Sequence, residues 1–377
     1  MRRPTYPRIV LALLLASVCL LPTYGQRLKQ RMAERYAEDL DYPRVATIYE
    51  DIVASGHASV DDMRKLAFAY SNMGRPQEAA LTYAKLLAEG QPSLQDMRAY
   101  ADLQRGLGNY GQAREWYGRI IAAVPDDPVA KAYLETPQFF ERLANPNGAN
   151  KVRSLAINSD KADIAPAIMD DLLVFSSARG DGVGGKTTYK WDGEPYLNLF
   201  TAVREGGSAR DPLVLRKDIN SRYHDGTATY DPTRKELYFT RDNYLYGTKL
   251  KAKDGELKLG IYSSKVEPGE LGQAEWGALR PFTHNHPDIS NGHPHLTADG
   301  RHLWFVSDRP GGQGGTDIWY CPRNGEEWGT PVNAGPVINT TGNEMYPFLS
   351  SDSVLYFTSN GHPGLGGHDI FMVRITP

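Results

Sequence analysis

Two segments near the C-terminus repeat one pattern, and this repetition constrains the fold more than any other feature of the chain. The segments run from Pro294 to Trp319 and from Pro347 to Phe371. In each, an apolar run that ends near a phenylalanine is followed by a glycine-rich stretch and an Asp-Ile-aromatic sequence. A repeat of about 50 residues built from strands and turns is typical of a β-propeller blade. The pattern therefore predicts an all-β repeat domain, and it favours binding over catalysis.

The N-terminus has the three parts of a secretory signal. A basic start with Arg2, Arg3 and Arg8 precedes an apolar run from Ile9 to Leu21, which small residues follow. A run of thirteen residues is too short for a retained membrane helix. We therefore predict a signal peptide over residues 1–25, cleavage before Gln26, and export to the periplasm with possible outer-membrane association.

Cysteine usage and charge limit the classes of partner. Cys19 raises the alternative of a lipoprotein, but Val18 precedes it and the apolar run continues after it, which favours an ordinary signal peptide. Only Cys321 then remains, so no intramolecular disulfide is expected. The formal net charge is −3 and no basic run follows the leader, so nucleic acid is not an expected partner.

The first third of the mature chain repeats a helical pattern with a period of 34. Leu66, Ala67, Gly74, Ala79 and Tyr83 are matched one period later by Tyr100, Ala101, Gly108, Ala113 and Tyr117. Ala67 and Ala101 are small enough to let paired helices approach, and Gly74 and Gly108 are expected to form the turns between them. This spacing resembles the tetratricopeptide repeat, which implies a helical solenoid over residues 26–145 with a capping helix from Asp127 to Glu141.

The turn-forming residues Asn145–Asn150 mark the start of a linker, assigned to residues 146–160, and strands are predicted over 161–377. Four strand cores align on a phenylalanine: Leu172–Phe175, Glu236–Phe239, His302–Phe305 and Val354–Phe357. Their apolar character on both faces suits sheets that are covered on both sides, as stacked blades are.

The glycine-rich stretches Gly311–Gly315 and Gly361–Gly367 predict tight turns between strands. Asp317 and Asp369 are expected to accept backbone N–H groups in these turns, and Ile318 and Ile370 to return to the core. A phosphate cradle is disfavoured because it requires a following helix, whereas Asp-Ile-Trp-Tyr predicts a strand.

The two repeat systems together resemble a family of Bacteroidota envelope proteins. The resemblance also includes Val152–Ser159, Trp191–Phe200, Tyr223–Tyr230 and Leu237–Asn243. It implies a multidomain α + β chain in which a tetratricopeptide solenoid precedes a TolB-like, WD40-like propeller. Relatives usually continue into an OmpA-like, peptidoglycan-binding domain and serve in type IX secretion or gliding. The family propeller has about six blades, whereas four cores are visible here, so an incomplete propeller of about four blades is expected, and cell-wall anchoring is not carried over from the resemblance. A peptidoglycan link is expected only together with the family's C-terminal OmpA-like domain.

Candidate catalytic and metal-binding residues are weak. His284, His286, His293 and His295 form the one histidine cluster, but Pro287 and Pro294 interrupt it and favour a turn over a metal site. Asp170-Asp171 is expected in a hairpin turn. The usual hydrolase and nucleotide motifs are absent from the sequence, so no catalytic residue, cofactor or metal is predicted.

The sequence therefore favours a non-enzymatic periplasmic scaffold. The helical groove would take a helix or extended segment of one envelope protein, and the propeller face a second partner. One alternative is a propeller-based enzyme, for which the aligned cores supply only Glu236 and His302. Another is a glycan or peptidoglycan sensor that uses Trp191, Trp304 and Trp319 for stacking, although packing inside the blades is the expected role of these residues.

Overall fold

The computed structural model describes residues 25–89, 92–135, 153–180, 183, 187–215, 219–268 and 274–375. The chain forms two compact units: the helices together with Tyr189–Gly193, and the β region. Residues 1–24 of the predicted signal peptide, including Cys19, and the turn-rich start of the linker at Asn145–Asn150 lie outside the described residues. In the described ranges, none of the helices combines the length and apolarity that a bilayer crossing needs.

The helical unit contains seven helices within the described ranges. They are α1 (25–38), α2 (Tyr42–Ala54), α3 (Val60–Asn72), α4 (Pro76–Glu89), α5 (Leu94–Gly106), α6 (Tyr110–Ala123) and α7 (Pro128–Glu135). The starts of α2, α4 and α6 are 34 residues apart, which confirms a helical repeat. The described part of the predicted capping helix is α7, and residues 136–141 lie outside the description.

The small residues of the repeat lie where the helices meet. Ala67 and Ala101 have no exposed surface. Gly74 and Gly108 follow α3 and α5 with φ of +68° and +78°, a left-handed conformation that ends a helix and that glycine adopts without a Cβ clash.

Polar contacts join successive repeats at the same period. Asp96 closes the capping box of α5 with Ser93, and it also accepts hydrogen bonds from Arg64 Nε and Nη2 at 2.7 and 2.9 Å. Asp62 closes the equivalent box of α3 and accepts from Gln30 at 2.8 Å. The hydrogen bonds from Arg64 lower the pKa of Asp96 to about 2.

The segment Tyr189–Gly193 belongs to the helical unit although it lies between strands in the sequence. The Trp191 indole N–H donates to the Asn72 carbonyl at 2.7 Å, and its ring meets Tyr42 edge-on at 5.0 Å. The expectation that Trp191 lies in a blade strand is therefore wrong, because its amphipathic ring finds an apolar contact and an acceptor among the helices.

The described part of the β unit contains four sheets arranged like the blades of a propeller and one two-stranded hairpin, which confirms the predicted β-propeller architecture. Blade 1 contains β1 (Asp163–Met169), β2 (Leu172–Ser177), β3 (Asn198–Glu205) and β4 (Ser208–Val214). Blade 2 contains β5 (Asp225–Asp231), β6 (Glu236–Asp242), β9 (Leu259–Pro268), β10 (Ala274–Trp276) and β11 (Arg280–Pro281), with a separate hairpin of β7 (Tyr244–Leu245) and β8 (Thr248–Lys249). Blade 3 contains β12 (Asn291–Leu296), β13 (His302–Ser307), β14 (Asp317–Asn324), β15 (Glu327–Trp328) and β16 (Val332–Asn333). Blade 4 contains β17 (Glu344–Leu349), β18 (Val354–Ser359) and β19 (Asp369–Arg374).

The first strands of successive blades pack side by side, β1 on β5, β5 on β12 and β12 on β17. The aligned phenylalanines of the second strands, Phe175, Phe239, Phe305 and Phe357, are all buried. The apolar core thus continues from blade to blade, as the two-sided apolar runs predict.

Blades 2, 3 and 4 are each joined to the preceding blade by an asparagine, and we call this arrangement the clamp. Its side-chain amide accepts from the N–H and donates to the C=O of a single residue in the third long strand of the preceding blade. The clamps pair Asn220 with Leu199, Asn285 with Ile261 and Asn339 with Ile318, at 2.7 to 3.1 Å. The clamped residues are fully buried, so each clamp satisfies two backbone groups that water cannot reach.

Candidate functional site

All four first strands carry an irregularity at the same position. The pairing with the second strand shifts between Ile164 and Ala167, Gly226 and Ala228, Gly292 and His295, and Met345 and Phe348. The residue inside each shift has a positive φ: 53° at Ala165, 34° at Thr227, 51° at His293 and 53° at Tyr346. A left-handed conformation costs a residue with a side chain about 1–2 kcal/mol. Strain of this kind clusters at ligand sites, so four occurrences in one place indicate a site.

These left-handed residues line a cavity of about 350 Å³ together with their neighbours along the strands. Blades 1 and 2 present the small side chains of Ala165, Ala167, Thr227 and Thr229 there, and also the larger Ile168 and Tyr230. Blades 3 and 4 present the rings of His293, His295, Tyr346 and Phe348, which we call the aromatic wall. The volume of the cavity lies in the range of small-molecule sites.

The aromatic wall is built from two ring pairs. His293 and Tyr346 stack at a centroid distance of 4.0 Å and an interplanar angle of 11°, and His295 lies 4.8 Å from Phe348. Phe348 remains 54% exposed and Tyr346 38% exposed. Two aromatic side chains next to a cavity thus keep surface that a ligand can cover.

The two histidines of the wall are neutral at physiological pH. Burial lowers the pKa of His293 to about 4 and lowers that of His295 as well. His293 Nδ1 accepts from the Tyr346 N–H at 3.4 Å, while His295 Nε2 lies 3.1 Å from the Leu349 carbonyl, to which a neutral ring donates. The cavity lining within the described residues contains no carboxylate, lysine or arginine.

The structure corrects the expectation that the histidine cluster forms a turn. His293 and His295 lie on strand β12, because Pro294 occupies the irregular position where the first strand does not need its N–H for pairing. His284 instead packs near blade 3, with Nε2 2.9 Å from the Gly329 carbonyl, and His286 is exposed in a loop. Across the described ranges, no three potential metal ligands come together.

Asp317 and Asp369 are the first residues of β14 and β19, and each accepts a backbone N–H of the turn before its strand. Asp317 is buried and accepts from the Gln313 N–H at 2.7 Å, and Asp369 accepts from the Gly366 N–H at 3.1 Å. Ile318 is fully buried, but Ile370 is 77% exposed. The expectation that Ile370 returns to the core is wrong, because no described segment packs over β19 as blade 4 packs over Ile318.

The other candidate residues do not line the cavity, although Asp170 accepts a hydrogen bond at 3.0 Å from Oη of Tyr230, which does. Glu236 is buried and accepts from Tyr238 Oη at 3.0 Å and Ser263 Oγ at 2.8 Å, and His302 packs on Tyr320. Asp170 lies in the turn between β1 and β2 and contacts Lys235 Nζ at 3.1 Å. Trp304 and Trp319 are buried in their blades and offer no face for stacking.

Comparison with known proteins assigns no family, because no family model and no curated protein matches the chain. The chain is similar to a Mycobacterium tuberculosis puromycin-hydrolysing peptidase, with 14% identity and a TM-score of 0.30 over 58% of this chain and 37% of that one. It is also similar to an α-L-arabinofuranosidase from Lactobacillus brevis, with 12% identity and a TM-score of 0.34 over 55% and 67% of the two chains. A prolyl endopeptidase matches with 14% identity and a TM-score of 0.24 over 57% and 34%. The chain thus spans about a third of the length of the two peptidases.

These comparisons contradict the predicted function. The sequence predicts a non-enzymatic scaffold, whereas the similar solved structures compared with the chain are peptidases and a glycosidase. The scaffold prediction is therefore wrong. Similarities this distant assign no reaction to this chain, so the function has to be inferred from the cavity.

Proposed function

We propose that the β unit binds a carbohydrate in the cavity between the first strands of its four blades. The observation that carries the proposal is the aromatic wall, where Phe348 and Tyr346 keep exposed ring surface in a cavity without charged side chains. The sequence suggested glycan binding through tryptophans; the cavity offers Phe348 and Tyr346 in their place.

The chemistry of the wall matches that of a sugar. A pyranose ring has one face of weakly polar C–H groups, which packs on the electron-rich face of an aromatic ring, and hydroxyl groups around its rim. The neutral imidazoles of His293 and His295 can each form one hydrogen bond with a hydroxyl group. His293 Nδ1 already accepts the Tyr346 N–H, which leaves Nε2–H as a donor, and His295 Nε2 already donates to the Leu349 carbonyl, which leaves Nδ1 as an acceptor. A charged ligand would lose its water here without gaining a partner of opposite charge, which disfavours it.

Calorimetric titration of the full chain with N-acetylglucosamine oligosaccharides and soluble peptidoglycan fragments tests the proposal. Phe348→Ala should weaken binding about threefold to tenfold, the loss expected for one stacking contact. Phe68→Ala is the matched control, because Phe68 lies on helix α3 and is 55% exposed, as Phe348 is at 54%. Binding that Phe348→Ala leaves unchanged, or the absence of binding with every probe, would refute the proposal.

We also propose, on the 34-residue period, that the helical unit is of the tetratricopeptide type. The predicted signal peptide and the resemblance to Bacteroidota envelope proteins support a further proposal, that the protein acts in the periplasm of such a cell. An envelope glycan would be the ligand available there. That the chain is not an enzyme, and that its groove takes a segment of an envelope protein, remain predictions from the sequence.

A further inference from the structure

In blade 4, the residue at the position that is clamped in blades 1 to 3 is bonded to no clamp asparagine among the described residues. Ile370 lies in β19 opposite Thr358, as Ile318 lies in β14 opposite Val306. Ile318 is fully buried beneath blade 4, whereas Ile370 is 77% exposed and its neighbour on the same face, Met372, is 70% exposed. Within the described ranges no side-chain amide is bonded to the backbone of Ile370. The edge of β19 therefore corresponds to a clamped strand, but no described asparagine is bonded to its backbone at Ile370.

Blade 1 carries a segment that matches the clamp segments of other blades but clamps no described strand. Ile157-Asn158-Ser159 corresponds to Ile219-Asn220-Ser221 and Ile338-Asn339-Thr340. The three segments have the same local fold, because an acidic residue accepts the N–H of the last residue in each, at 2.5 to 2.8 Å. Asn220 and Asn339 are 1% exposed, whereas Asn158 is exposed. Among the described residues, Asn158 Oδ1 accepts only from the nearby Leu155 N–H, at 2.7 Å.

A cavity beside Asn158 completes this half. It measures about 110 Å³ and is lined by Leu155, Ile157, Ile164, Leu173 and Phe175, among others. In blade 4 the corresponding residues Ile338, Leu355 and Phe357 pack around Ile318 of blade 3. Blade 1 therefore has an apolar pocket at the position where, in blade 4, the isoleucine of the preceding blade packs.

We propose that Ile370 of one copy of this chain docks into the pocket of blade 1 in a second copy, where Asn158 clamps its backbone. The occupant is a second copy because this chain carries both halves of the contact: an exposed isoleucine at a position that is clamped in the other blades, and an asparagine beside an apolar pocket that matches the internal clamps. Two such contacts related by a twofold axis would give a closed dimer. The proposal rests on the blade ends alone and does not depend on carbohydrate binding.

Sedimentation velocity of the full chain over a range of concentrations tests this contact. A dimer is expected, and Asn158→Ala and Ile370→Asp should each weaken it by about tenfold or more, since they remove the clamp bonds and the buried side chain. Val337→Asp is the matched control, because Val337 is 72% exposed in the linker between blades 3 and 4. A monomer at every concentration, or a dimer that neither variant weakens, would overturn the proposal.

Cysteine pairing gives an independent measurement. Asn158→Cys and Ile370→Cys variants should form an intermolecular disulfide when mixed and oxidised, and neither should do so alone. Cys321 is fully buried and serves as an unreactive internal reference. The proposal fails if the mixture gives no disulfide, or if the double variant gives mainly monomers with an internal disulfide, since the array would then close on itself.

Discussion

Replacing Asn220 with alanine tests whether the clamps stabilise the β unit. Asn220 is 1% exposed and makes three hydrogen bonds, to the N–H and C=O of Leu199 and to the C=O of Leu215, at 2.8 to 3.0 Å. In Asn220→Ala the Leu199 N–H is buried without an acceptor, which costs about 1–3 kcal/mol. The Leu199 carbonyl still accepts from the Leu215 N–H at 2.9 Å, so the loss there is smaller. We expect a total destabilisation of about 2–4 kcal/mol.

Urea unfolding followed by tryptophan fluorescence measures this loss, which should lower the midpoint by about 1 M. Asn158→Ala is the control, because the same residue type occupies the same position of blade 1 but is exposed. At concentrations where the chain is monomeric, that control should change stability by less than about 0.5 kcal/mol. Equal midpoints for Asn220→Ala and Asn158→Ala would show that the clamps do not hold the blades together.

Two further predictions concern aspartates. Asp317→Ala should destabilise the β unit by about 1–3 kcal/mol because it leaves the Gln313 N–H without its acceptor. Asp369→Ala should cost less because water reaches the half-exposed Asp369. An unchanged calorimetric melting temperature in Asp317→Ala would contradict the first expectation. The pKa of Asp96 is about 2 in the folded chain and near 3.8 when unfolded, so its stabilisation is complete above about pH 4 and is lost as the pH falls through 2. Circular dichroism at 222 nm should show this loss of about 2 kcal/mol, and Asp96→Asn should remove the pH dependence. Equal pH slopes for the two proteins would exclude Asp96 as its source.

The architecture was predictable where residues repeat at a fixed spacing. Ala67 and Ala101, with Gly74 and Gly108, reveal the helical repeat because packing and turns need small residues at a constant separation. The aligned phenylalanines reveal the second strands of the blades because each fills the same buried position.

The cavity and the clamps were not predictable in this way. Proline normally argues against a strand, so His293-Pro294-His295 indicated a turn, although the irregular pairing of β12 accommodates it. Tyr346-Pro347 carries the same signal in blade 4, and comparison of the two segments could have revealed a shared strand. The clamp motif was missed because the spacing from Asn220 to Asn285 and Asn339 is irregular, and an asparagine in a loop usually indicates only a turn.

The clamps also define where one blade can be exchanged for another. Each clamp asparagine stands at the start of its own blade but completes the blade before it, so the interchangeable unit runs from one asparagine to the next and not from one sheet to the next. Deleting residues 285–338 would place Asn339 directly after blade 2, where Ile261 offers it the same two backbone groups as Ile318 does. A gene that gains or loses segments at these boundaries changes the number of blades while every internal joint keeps its partner.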